Sequence, residues 1–151
     1  MKILGRKRAT PKTEYSQSFY KKEELPAFLQ ERIKPILQEG EEAELVFIAD
    51  LSLDGKFAEE LLVVTGRRIL NLSSLEQALP EVLAVDLEDI DNVALRQLTG
   101  NNILKARTRE GSLEILRCTP ALLMDLNDFL KNLDELMERI FARKDFTERL
   151  H

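Results

Sequence analysis

Few residues in this chain have the type and spacing that chemistry requires. Its single cysteine, Cys118, and its single histidine, His151, are each alone of their kind. A Cys–His pair, a serine triad or a histidine metal site has no sound source here. A lone cysteine makes neither an internal disulfide nor a cysteine metal cluster. In LEILRCT it reads as a small buried hydrophobe on a strand. The adjacent carboxylates Glu41-Glu42 and Glu59-Glu60 come with no pocket-like pattern of polar residues, so catalysis is not expected. LTGNN and VTGRR lack the glycines and lysine of a phosphate-cradling loop. No cofactor is expected.

The feature that asks most insistently for a ligand is LLVVTGRRILNL, residues 61–72, where two apolar runs meet at Arg67 and Arg68. Anion sites converge several donors from different loops. The neighbouring loop LSLDGKFAE offers only Lys56, beside acids. A structural role is therefore expected, with an arginine stem covering apolar surface and its head paired to an acid. Asp86, Glu88, Asp89 and Asp91 are the expected acidic partners. These four acids suggest a metal set only superficially, because no glycine stands where a calcium loop needs one.

These residues must be held by a small soluble core. Hydrophobic residues make up 44% and charged residues 32%, enough apolar material for one core in 151 residues. No apolar run approaches the ~20 residues of a membrane span, and the N-terminus has no signal-like apolar stretch. Charge is uneven: residues 1–22 carry seven Lys and Arg against one acid, Glu14, in a chain of net −5. This segment reads as a basic flexible tail, with Arg6, Lys7, Arg8 and Lys12 as candidate contacts to an anionic membrane surface. Nucleic acid is not an expected partner, because the acidic body repels phosphates.

The spacing of Leu25, Phe28, Leu29, Ile33, Ile36 and Leu37 predicts a helix over 23–40, broken near Lys34 by Pro35. From Ala43 the pattern turns to strands: AELVFIAD, FAEELLVVT, RRILNL, VLAVDL, EDIDNVALRQL, NILKARTR and SLEILRC. Asp54-Gly55, the TGNN stretch at 99–102 and Glu110-Gly111 mark turns between them. SSLEQALPE is a loop. Thr119-Pro120 then opens a long helix, Thr as cap and Pro at the first helical position. Its stripe runs through Leu126, Phe129, Leu133, Met137 and Phe141. The far end, with Met137, Phe141 and Phe146, is expected to outrun the sheet and dock a neighbouring domain.

Seven strands in hairpin succession and one amphipathic helix outline an α+β fold: an antiparallel seven-stranded barrel capped by a C-terminal helix, with an extra N-terminal helix. LLVVTGRRIL resembles the hairpin of bacterial pleckstrin-homology-like domains, and AVDLEDIDNVAL resembles their second signature. Residues 24–142 are similar to the cytosolic segment that precedes the membrane domain in certain exporter-type ABC transporters. The resemblance implies a pleckstrin-homology-like domain over 43–142, then a linker over 143–151. It implies a regulatory or accessory role on the cytoplasmic side of the cell membrane. The partner would be the rest of the transporter or another subunit. ATP hydrolysis would belong to the parent, not to this chain. The alternative is a free-standing adaptor that binds anionic membrane through the basic tail, or a protein partner.

Overall fold

A computed structural model of the chain describes residues 17–73 and 81–150, with side chains through Ala142. In chain order the elements are β1 (Phe19–Lys21), α1 (Ala27–Ile33), β2 (Ala43–Leu51), β3 (Phe57–Thr65) and β4 (Arg68–Ser73). Then come β5 (Glu81–Asp86), β6 (Ile90–Leu98), β7 (Asn101–Thr108), β8 (Gly111–Cys118) and α2 (Leu123–Leu150). Short 3-10 turns occupy Lys22–Glu24, Lys34–Ile36, Leu87–Asp89 and Pro120–Leu122. The strands run β5-β4-β3-β2-β8-β7-β6, all antiparallel, and β1 adds to β2.

The apolar runs LVFI and LLVV are continuous because both faces of this half of the sheet are covered. Phe47, Leu62, Val64 and Ile69 face the interior with Leu104, Leu116 and the stripe Leu126, Phe129 and Leu133 of α2. Val46, Ile48, Leu61, Val63 and Leu70 face outward, against Leu29 and Ile33 of α1. Full burial of a side chain of this size is worth about 1.5–3 kcal/mol, so α1 is anchored although it is only seven residues long. The expected helix over 23–40 is thus shorter than its apolar spacing suggested. Pro35 has no N–H and crowds the preceding turn. The α-helix ends at Ile33, and Lys34–Ile36 tighten into a 3-10 turn.

Two boundaries differ from the sequence reading. Phe19–Lys21, assigned by charge to the tail, forms β1, with Phe19 and Tyr20 buried. Phe19 pairs with Phe47 in the ladder and meets the Phe129 ring edge-on at 5.8 Å. The reason is packing: β1 lies along the side of β2 that β3 leaves free, beneath α2. At the other end, α2 continues as helix to Leu150, through the stretch read as a linker. The loop expected around SSLEQALPE falls largely on residues 74–80, outside the described residues.

Thr119 does not cap α2 with its side chain. Its hydroxyl and N–H both donate to Asp50 on β2, at 2.6 and 2.9 Å. The start of the helix is thereby pinned to the sheet it covers.

Candidate functional site

The 65–68 turn is built by a hydroxyl. Thr65 Oγ1 accepts the N–H groups of Arg67 and Arg68, both at 3.1 Å, and donates to Glu41 Oε2 at 2.8 Å. Gly66 keeps an ordinary φ, and a Cβ there would meet nothing within 4 Å. Arg68 is engaged through two of its three guanidinium nitrogens. Its Nε and Nη2 donate to the two oxygens of Glu41 at 2.9 and 2.8 Å, and Nη2 also reaches the Ile36 carbonyl at 3.0 Å. The Glu41 side chain is 0% exposed and that of Arg68 14%. The guanidinium holds the Glu41 carboxyl down at about 2, helped by the Gln38 N–H and the Thr65 hydroxyl against the opposing effect of burial. Glu41 in turn raises Arg68. These bonds commit the Nε and Nη2 side of the guanidinium to the protein itself. The expected bracing role holds for Arg68, but the partner is Glu41, not the acidic turn. Asp86, its ladder partner on β5, adds only a weaker attraction.

The turn carrying Glu88 and Asp89 forms no metal set, and no group of three or more potential ligands gathers among the described residues. Glu60 is a different kind of acid. It is 2% exposed, accepts from Asn71 Nδ2 at 3.2 Å, and has its pKa raised chiefly by burial. Asn71 also donates to the Ile115 carbonyl at 2.8 Å, so this pair links β3, β4 and β8 inside the barrel. It is enclosed structure with no substrate access.

Of the expected docking residues, Met137 is 9% exposed and lies in the interior cluster. Phe141 packs half-buried against that cluster. Met137 is therefore covered by its own barrel, because the sheet reaches further along α2 than expected. The side chain of Phe146 and the basic residues Arg6, Lys7, Arg8 and Lys12 lie outside the described residues.

What remains is the outward face of β6, β7 and β8, which no helix covers among the described residues. Register places three rows there: Arg96–Ile103–Arg117, Ala94–Lys105–Glu114 and Asn92–Arg107–Ser112. Directly opposed residues share a face, with strands ~4.8 Å apart. One face therefore carries four cations and one acid in a chain of net −5. Arg117 binds Glu114 at 2.8 Å. Arg96, Lys105 and Arg107 form no ion pair among the described residues. The alternation of Lys105 and Arg107 is visible in sequence, but the alignment of Arg96 beside them needs the register. An open groove of about 650 Å³ lies between β1 and α2, lined with Lys21, Glu44, Asn132, Glu135 and Arg139. Its mixed charges converge on no single point.

An antiparallel sheet bent around one core and closed by a C-terminal helix defines a pleckstrin-homology-like fold. A similar solved structure is that of a DUF1696-family protein with a pleckstrin-homology domain from Shewanella loihica PV-4. It shares 13% identity at a TM-score of 0.50, covering 70% of this chain and 92% of that one. No family model and no curated protein matches the chain.

Proposed function

We propose that this chain is a non-catalytic accessory or regulatory domain that works by docking to another protein. One observation carries the reading. The first half of the sheet has its outer face covered by α1, whereas the second half has an outer face that no helix covers and three cations that form no ion pair, among the described residues. Unpaired cations fixed on a rigid sheet favour an oppositely charged surface and disfavour like-charged ones. The pleckstrin-homology-like fold is a scaffold and does not by itself name a function.

The setting we infer is the cytoplasmic side of the cell membrane, as the segment ahead of the membrane domain of an exporter-type ABC transporter. Support for it comes from the resemblance of residues 24–142. The source gene tests it directly: the reading frame past His151 should encode a paired-cysteine linker, hydrophobic spans and a nucleotide-binding loop. A frame with none of these removes the transporter. The rival adaptor reading rests on the cations of residues 1–12. It is tested by co-sedimentation with phosphatidylserine vesicles. Docking to protein predicts no sedimentation; salt-sensitive binding that disappears on deleting residues 1–12 overturns it in favour of the adaptor.

A further inference from the structure

We propose that β6 and the outer face beside it form the docking site, and that its occupant is an extended protein segment alternating acidic and apolar residues. The inference rests on the docking reading and specifies its surface and partner chemistry. β6 ends the strand order, so among the described residues it pairs with β7 alone and leaves the other edge of a nine-residue strand open. Unpaired N–H and C=O groups along an edge accept an added strand.

The side chains set the pattern of that strand. On the outward face the newcomer would lie beside Arg96, with Lys105 and Arg107 one strand further in. Arginine and lysine stems span that distance, so acids at alternate positions meet three unpaired cations. On the inward face it would lie beside Val93 and Leu95, which pack against the core yet remain half-exposed. Apolar residues at the intervening positions would complete their burial. Strand periodicity makes the two requirements alternate. The other edge that is open among the described residues, β5, is shorter and carries two acids, Glu81 and Asp86, and no cation, whereas on β6 Arg96 offsets the one acid, Asp91.

The probe is a fluorescein-labelled nine-residue peptide alternating Glu and Val, matched to the length of β6, read by anisotropy with the full chain. Two control peptides accompany it. One has the same composition sorted into a Glu block and a Val block; the other is N-methylated along the edge that pairs. The proposal expects salt-sensitive binding of the alternating peptide and about tenfold or more weaker binding of both controls. The triple variant Arg96→Gln, Lys105→Gln, Arg107→Gln should lose about as much, with an unchanged melting temperature as the check on folding. A single Leu95→Glu change, at a half-exposed position, should weaken binding with the cations intact. Equal binding of the three peptides, or an unaffected triple variant, overturns the proposal. If neither peptide nor phosphatidylserine vesicles bind, this edge is wrong and docking through another face stands. If vesicles bind and the peptide does not, both readings fall.

Discussion

Replacing Glu41 with Gln tests the bracing network most directly. The change keeps the shape and leaves Arg68 half-buried with only the weaker attraction of Asp86. Two routes give the size of the loss. Breaking one side of a buried, hydrogen-bonded ion pair costs about 3–5 kcal/mol. Independently, lowering the Glu41 carboxyl from 4.5 to about 2 corresponds to roughly 3 kcal/mol of preference for its charged form in the fold. A loss of about 3 kcal/mol lowers the melting temperature by roughly 10 °C in a domain of this size. The pH dependence has a definite sign. A carboxyl whose folded pKa is depressed contributes fully above its unfolded value, and that contribution is lost as pH falls through the folded one. The gap between wild type and E41Q should therefore be full above pH 4.5 and close towards pH 2. Thermal melts followed by circular dichroism across that range supply the measurement. The double change Glu41→Met with Arg68→Met removes both charges and should recover much of the loss. If E41Q and R68M each melt within about 0.5 kcal/mol of wild type, a scatter ordinary for surface changes, the pair does not brace the fold. A gap that widens in acid would refute the linkage.

Other expectations follow from the same geometry. Thr65→Val should lose about 1–3 kcal/mol by stranding the turn N–H groups of Arg67 and Arg68, whereas Gly66→Ala should melt like wild type, since nothing lies near the added Cβ; paired urea titrations separate the two. Glu60→Gln should stabilise at neutral pH, because burial raises the carboxyl of Glu60 and disfavours its charge. That advantage should vanish as acid protonates wild type, since a raised folded pKa gives stability that is present at low pH and lost as pH rises through it. Cys118 is fully buried, and its thiol is pushed up to about 12, first by burial and then by Asp50. A disulfide reagent should label it only at the rate of unfolding, and fast labelling of native protein would contradict the packing.

Much of the architecture is legible in the sequence because it is written in local signals. Asp54-Gly55 and Glu110-Gly111 turn where expected, with Gly55 and Gly111 at φ of +85° and +125°, a region that strains other residues. The apolar runs of β2 and β3 and the stripe of α2 are likewise periodic. What escaped depends on distant residues. β1 is three residues long, too short to show a period, and its order comes from β2 and α2. The partner of Arg68 lies 27 residues upstream, past the end of the N-terminal helical segment, while nearer acids seemed the natural choice. The basic face exists only once β6 and β7 are aligned, because Arg96 and Lys105 sit on different hairpin arms. The expected docking residue Met137 reads correctly as part of an apolar stripe; only the extent of the sheet over α2 decides that it is interior.

The clamp between the β1 region and α2 also has a kinetic meaning. The Ser18 N–H donates to Asp125 at 2.9 Å, across 107 residues, and Phe19 and Phe47 both meet the ring of Phe129. During synthesis these residues of the β1 region emerge long before the helix that covers them. Closing so long a loop is entropically slow, and contacts of this separation form late. Until α2 leaves the ribosome, two aromatic rings of the nascent chain lack their lid. The barrel is therefore completed only once α2 has been made, and a chain halted before Phe129 would present an open, sticky sheet to chaperones and proteases.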